Sequence, residues 1–525
     1  MPEIPRTELP VSHKVFRNTL FNISGKIFQV ILAIFLTPYI VHRLGIERYG
    51  IMAMLGAITG YTGLLDVGVG SSFGRFIAEF RASQEHDKIG EVIGVGVVFY
   101  GMIGIFITTA IFFLSDTLIK IFSIPPHLYQ DAYVVFTIGA VVFVVTNIFN
   151  VFSAVQVGLQ RMDISNTIAI ATALVNAAGA VFVLERGYGL QGLMINAVIV
   201  CAITASANLI AAYALIPDII RCRMRFSRQT FERLFNFGFK MQLVRIGATI
   251  TTQVDKILIA SMLAIGLVTF FQLGLNIILF TASLSGLIVS ALMPAFTQIV
   301  VEEGEAFATK AYLKSVKYVS FMVVPVFMFL VFSASGVMNF WMSHPSELSA
   351  RVIQILALAW MFNSIAQVSL SFCVAMNKPQ LMAGGTIIMV IMNITLSFIF
   401  IKYFGFFGAA WGGMTAVGAG TAYILSRLHR TINIRWRHFL GMIIPCVAVG
   451  ALVLGIMEVL QSIFPSLAQL PPGRFDQFIL LAGEWAVFLA LYLTGIYIVK
   501  FFRNDEFASF KKLIFSLAGL RGKGA

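Results

Sequence analysis

The chain has 525 residues, 58% of them hydrophobic and only 12% charged, with a mean hydropathy of +0.89. A soluble globular protein carries roughly twice that charged fraction, so a cytosolic enzyme of this length is excluded: too little polar surface remains to cover its domains. The formal net charge of +13 invites a nucleic-acid reading, but the basic residues are scattered over many short segments instead of forming one patch, which argues against it.

Residues 1–19 are polar and proline-containing, without the charged–apolar–small pattern of a cleaved signal peptide. Apolar runs then predict membrane helices at about 22–42, 49–70, 91–114, 132–157, 165–184, 190–215, 241–263, 266–292, 317–338, 351–375, 381–401, 406–426, 439–461 and 477–499. At about 20–22 residues per span, these 14 helices leave room only for short loops and tails. The predicted fold is an all-α integral membrane protein.

The first span carries a polar stripe. Asn18, Asn22, Lys26, Gln29 and Thr37 fall within an arc of about 100° on a helix. Lipid cannot solvate such a stripe, so it faces protein or a water-filled cavity. At the end of the second span, Asp66 and Arg75 read as a structural turn. Gly68-Val69-Gly70 followed by Gly74 has the wrong spacing for a dinucleotide loop. The stretch 217–240, with Arg221 to Arg233, reads as a basic cytoplasmic linker.

The seventh span repeats the polar pattern with Gln242, Arg245, Thr249, Thr252, Gln253 and Lys256, again within about 100°. Snorkelling to the interface is the competing account of Lys26 and Lys240, and a structural pair that of Arg245 and Lys256. Asp255 points about 100° away from Lys256, so it is expected to meet another helix. Glu458 and Glu484 lie on the last two spans, where pairing or proton transfer both remain open.

With the N-terminus inside, the proposed cytoplasmic segments hold 27 Lys and Arg, the outer loops 7, and Lys26, Arg245 and Lys256 lie within spans. This split follows the positive-inside rule and predicts that both termini are cytoplasmic.

The halves resemble each other. Leu20-Phe21-Asn22 with Lys26 recurs as Leu234-Phe235-Asn236 with Lys240, Gln160-Arg161 as Asn377-Lys378, Asn176 as Asn393, and Gly189 and Gly192 as Gly405 and Gly408. Six helices per repeat make the halves parallel, related by an axis along the membrane normal. The predicted domains are a six-helix lobe over 1–216, the linker 217–240, a second lobe over 241–426, and accessory helices 13 and 14 with a basic tail over 427–525.

No G-x-x-x-x-G-K-[ST] loop is present, so the chain by itself is not an ATP-driven pump. The seven histidines show no metal-ligand spacing. The cysteines suggest no disulfide framework: Cys201, Cys373 and Cys446 lie in apolar runs and Cys222 in the linker. Neither a nucleophile–base arrangement nor a large outer loop is found, so transport is expected, not catalysis.

The run Leu36-Thr37-Pro38-Tyr39-Ile40, then Leu44-Gly45-Ile46-Glu47-Arg48-Tyr49-Gly50, Leu65-Asp66-Val67-Gly68 and Arg75, resembles the opening of Wzx-type polysaccharide flippases. These belong to the multidrug/oligosaccharidyl-lipid/polysaccharide (MOP) exporter superfamily. Gly158-Leu159-Gln160-Arg161, Val254-Asp255-Lys256 and the paired glycines fit the same pattern, and the resemblance extends over essentially the whole chain. It implies two six-helix lobes in a V and movement of a polyprenyl-pyrophosphate-linked oligosaccharide to the outer leaflet of the bacterial inner membrane, for O-antigen, capsule or exopolysaccharide.

A pyrophosphate suits cations on both lobes. Lys26 and Arg245 are therefore expected to form the phosphate-binding pair, supported by Lys256 and Lys240. Asn22, Gln29, Gln242, Thr249 and Gln253 complete the expected substrate-binding set, amides and hydroxyls serving sugar hydroxyls. No bound cofactor is expected; the membrane potential or coupled H⁺ or Na⁺ supplies the energy. Expected partners are membrane lipids and, from the resemblance, a polysaccharide polymerase and glycosyltransferases. The rival readings are a lipid II flippase, a cation-coupled drug antiporter, which an acid-free first helix disfavours, and a non-transporting assembly scaffold.

Overall fold

The computed structural model describes residues 11–62, 66, 69–217, 224–290, 292–342, 346–378, 380–463 and 473–502. Among these, every regular element is helical. The α-helices are α1 (Val11–Leu44), α2 (Ile46–Thr62), α3 (Val69–Ala82), α4 (His86–Ile121), α5 (Tyr129–Gly158), α6 (Met162–Glu185), α7 (Gly189–Leu215) and α8 (Arg228–Met262). They continue with α9 (Ile265–Ser290), α10 (Leu292–Glu302), α11 (Glu305–Met342), α12 (Glu347–Ala375), α13 (Gln380–Phe404), α14 (Phe406–Thr431), α15 (Trp436–Ile463) and α16 (Arg474–Ile498).

Each of the 14 predicted spans falls on one of these helices. Among the described residues, eleven helices are long and apolar enough to cross a membrane on length and composition alone. The other three spans lie on α2, only 17 residues long, on α8 with its polar stripe, and on α14. Large apolar side chains such as Phe35, Ile105, Phe113 and Leu452 are exposed, as expected of faces that lipid covers. The chain is a multi-pass membrane protein.

Three segments differ from the sequence reading. α2 is described as far as Thr62, residues 63–65 and 67–68 lie outside the described set, and a separate helix α3 starts at Val69, inside the predicted second span, and runs on past its end at 70. Phe73, Phe76, Ile77 and Phe80 are buried while Arg75, Glu79 and Arg81 are exposed, an amphipathic helix that a search for continuous apolar runs passes over. Likewise α10 and the first turns of α11 lie between the predicted spans 266–292 and 317–338. The linker 217–240 is helical from Arg228, where the Ser227 hydroxyl accepts from the Thr230 N–H at 3.4 Å; residues 218–223 lie outside the described set.

The element order repeats: α1 to α7 match α8 to α14, each half containing one short helix in third place. Local geometry matches as well. Gln160 and Asn377, paired in the sequence repeat, both take left-handed backbone, with φ of 55° each. The helices before them end alike: Arg161 N–H donates to Gln156 O at 2.8 Å and Lys378 N–H to Cys373 O at 2.9 Å. Gly189 and Gly405, which open α7 and α14, have φ of 55° and 61°, backbone that costs glycine little.

Packing divides the chain into two compact units: residues 1–273 with 386–416, and 274–385 with 417–525. These units follow contacts, whereas the lobe boundaries proposed from sequence follow the repeat, so the two divisions need not coincide. The first unit is centred on the buried face of α3 against α4, α5 and α7, through Phe73, Ile77, Ile93 and Val155. It holds α8 by its first turns: the Thr230 hydroxyl donates to Glu91 at 2.7 Å. Within the same unit, Arg43 of α1 pairs with Glu185 of α6 at 2.6 Å, and Arg48 of α2 with Asp131 of α5 at 2.8 Å. The second unit is built on aromatic contacts, Tyr312 stacked on Phe372 and Phe329 edge-on to Trp485 and Phe488.

Candidate functional site

The two polar stripes lie on α1 and α8. On α1, Lys26 and Gln29 are exposed, and the side chain of Asn22 lies outside the described residues. Gly25 lies against Asn166 of α6, so α1 packs on α6 through a face about 100° from Lys26.

On α8, Gln242 is buried and Thr249 and Gln253 are half-buried, while the side chains of Lys240 and Arg245 lie outside the described residues. The expected Lys26–Arg245 pair is therefore not placed by the structure. Gln253 rests on Gly60 of α2, and its side-chain oxygen has no hydrogen-bond partner among the described residues. Lys256 is 4% exposed, with no carboxylate within ion-pair distance among the described residues; its electrostatic partner is Asp255, the next residue.

Asp255 does meet another helix, as its direction on α8 required. It accepts from Asn393 of α13 at 3.2 and 3.4 Å, and Asn393 also donates to Ser397 at 3.3 Å. A carboxylate buried in the membrane is thereby given polar neighbours, the condition on which such groups persist. In the sequence Asn393 stands out only as the repeat partner of Asn176; nothing there joins it to Asp255.

Two further acidic groups find structural roles. Asp66 accepts from the Gly70 N–H at 2.9 Å and from the Tyr100 hydroxyl, capping the start of α3. Glu484 of α16 accepts from Gln461 of α15 at 3.2 Å, tying the two accessory helices together. Among the described residues, no three His, Cys, Asp or Glu side chains gather as metal ligands.

Gln29 does reach a cavity, and the cavity is not cationic. A space of about 370 Å³ lies among α1, α5, α6 and α7, lined by Gln29, by Asn150 and Ser153 of α5, and by Ser165, Thr172 and Asn176 of α6. Thr204 and Asn208 of α7 close it, with Ala169, Ala173 and other apolar contacts between the polar groups. The sequence reading missed all but Gln29 as site residues. The signal was present: Asn150 and Ser153 are three apart, Thr204 and Asn208 four apart, and Ser165, Thr172 and Asn176 recur on one face of α6. Uncharged residues at these spacings leave a helix apolar enough to read as an ordinary span.

The fold resembles that of known transporters. Residues 15–300, more than half of the chain, match the family model described as polysaccharide biosynthesis protein. The chain is 22% identical over 401 residues to the "Putative O-antigen transporter" of Shigella flexneri, covering 75% of this chain and 93% of that protein. In fold it is similar to the lipid II flippase MurJ in an inward closed conformation, with a TM-score of 0.67 and 16% identity over 92% of this chain and 98% of that one. An inward-facing multidrug resistance MATE family transporter of the MOP superfamily gives a TM-score of 0.65 at 16% identity, covering 77% of this chain and 95% of that one.

Proposed function

The chain belongs to the polysaccharide biosynthesis protein family, and on that premise we propose that it is a flippase for polyprenyl-pyrophosphate-linked oligosaccharides. It acts by alternating access, carrying repeat units from the cytoplasmic to the outer leaflet of a bacterial inner membrane, with both termini cytoplasmic. The product is O-antigen, capsule or exopolysaccharide. The observation that carries this reading is the family match, joined to similarity along 93% of the Shigella flexneri "Putative O-antigen transporter".

The chemistry supports the same substrate. A lipid-linked oligosaccharide has an anionic headgroup, a neutral glycan and an apolar tail. Lys26 and Arg245 offer cations from α1 and α8, and the amides and hydroxyls on those stripes suit sugars. Lys256, Lys240, Asn22, Gln29, Gln242, Thr249 and Gln253 complete the proposed substrate-binding set. Transport is not an enzymatic step and needs no bound cofactor. An inside-negative potential of 100 mV is worth about 2.3 kcal/mol per charge, so outward movement of a dianion gains about 4.6 kcal/mol; H⁺ or Na⁺ coupling would alter that figure. Polysaccharide polymerase and glycosyltransferases are the proposed neighbours, since they consume and make the cargo.

A second reading, a lipid II flippase, is favoured by the similarity to MurJ, which extends over 92% of this chain. Disrupting the gene separates the two. The proposed function predicts that polyprenyl-linked repeat units accumulate and surface glycan is lost while peptidoglycan synthesis continues. Lysis with accumulated lipid II would support the second reading, and an intact glycan with new drug sensitivity would favour a drug exporter.

A further inference from the structure

Resting on that function, we propose that the cavity among α1, α5, α6 and α7 is a glycan subsite that reads neutral sugar hydroxyls and has no part in binding the pyrophosphate. Three observations carry this. The first is charge. Among the described residues, the cavity of about 370 Å³ is lined by no Lys, Arg, Asp or Glu, so a phosphate finds no counter-charge there, and an isoprenoid tail would strand the amides. Its size lies in the range of small-molecule sites, about 300–1,000 Å³, which suits a short run of sugar rings.

The second observation is how the polar atoms are already committed. Ser153 donates its hydroxyl proton to Asn150 O at 2.8 Å, Thr172 to Ile168 O at 2.8 Å, and Thr204 to Val200 O at 2.7 Å. Their protons are engaged on the helix backbone, so the hydroxyl oxygens face the cavity as acceptors. The amides are committed the other way. Asn208 accepts from Gln156 at 3.0 Å and Asn176 from Asn196 at 3.0 Å, leaving both NH₂ groups as donors. The cavity thus presents fixed donors beside fixed acceptors. A sugar hydroxyl is both at once, and a polyol matches this lining where an anion or a cation does not.

The third observation is the support behind the lining. Asn196 and Gln156 are buried, and Gly179 on α6 gives Asn196 the close approach it needs, since a Cβ there would run into the Asn196 side chain. A layer of buried amides that orients the lining amides distinguishes a binding wall from polar residues merely tolerated in a span.

The test measures equilibrium binding to the purified full-length chain in lipid nanodiscs, with two probes. One is polyprenyl pyrophosphate carrying the oligosaccharide isolated from a transport-deficient strain, and the other is bare polyprenyl pyrophosphate. Asn150→Ala and Thr172→Val each remove one neutral hydrogen-bonding group and are expected to weaken the glycan-bearing probe about two- to tenfold, leaving the bare probe unchanged. Ala173→Leu, which fills the cavity without removing a polar atom, is expected to do the same. The inference is overturned if these variants weaken both probes equally, or if none of the three affects the glycan-bearing probe. Failure of the wild-type chain to bind either probe would overturn the flippase reading itself, a pattern distinct from both.

Discussion

Lys26, Arg245, Asp255 and Lys256 interrupt helices that otherwise have to satisfy lipid, so each must compensate its cost with a partner or a task. For Lys26 and Arg245 the proposed task is the pyrophosphate. Lys26→Ala and Arg245→Ala are each expected to abolish glycan export while the protein still inserts and accumulates, scored by surface polysaccharide in a null strain. Arg245→Lys keeps partial activity if charge suffices, and little if a bidentate fork is required. Full export by both alanine variants would return these residues to a snorkelling or structural role. Asp255 is a different case, held by Asn393 and the nearest source of negative charge for buried Lys256. Asp255→Ala removes a buried, hydrogen-bonded charge and is expected to cost about 1–3 kcal/mol or more, read as a lowered Tm in detergent. Adding Lys256→Met to that variant is expected to recover part of the loss, because the uncompensated cation goes with it. The sequence made the cations conspicuous because charge stands out against an apolar background. It could not supply Asn393 as the partner of Asp255, 138 residues away, because tertiary pairing has no local signature.

Helix interiors were legible at the scale of the element, and helix ends were not. Each of the 14 predicted apolar runs falls on a helix, yet α3 escaped because only one face of it is apolar, α10 because its 11 residues are too short to read as a span, and α8 starts 13 residues before its predicted span, at Arg228. The repeat was readable because it is marked by turn residues. Gln160 with Asn377, and Gly189 with Gly405, recur where the backbone needs left-handed φ. The partner glycine Gly408 does a separate job: a Cβ there would strike the Phe400 carbonyl of α13. Backbone cannot swing aside as a side chain can, so Gly408→Val is expected to cost about 1–3 kcal/mol and to lower Tm and the yield of monodisperse protein. Gly418→Ala, on the same helix but facing open space, serves as the control and should leave both unchanged.

For the whole molecule, the distribution of Lys and Arg carries the topology. Single cysteines placed near His127 and at 464–472 are expected to react with impermeant maleimide from outside, and single cysteines at 427–435 only after permeabilisation. Background is low, since Cys201, Cys373 and Cys446 are buried and Cys222 can be changed to Ser. Labelling either outer position only from the cytoplasm would reverse the orientation and remove the argument from membrane potential. The proposed glycan subsite complements the proposed phosphate-binding cations, because phosphate and glycan pose different chemical problems.

The central claim is tested most directly by reconstituting the purified chain in vesicles that carry the polyprenyl-pyrophosphate-linked oligosaccharide in both leaflets, and following glycan accessibility to an impermeant lectin. With an inside-negative potential, the protein is predicted to bring the protected inner-leaflet pool to the outside many times faster than in protein-free vesicles, and Arg245→Ala to return the rate to that background. Accessibility no faster than in protein-free vesicles, with lipid II translocated by the same preparation, would contradict it.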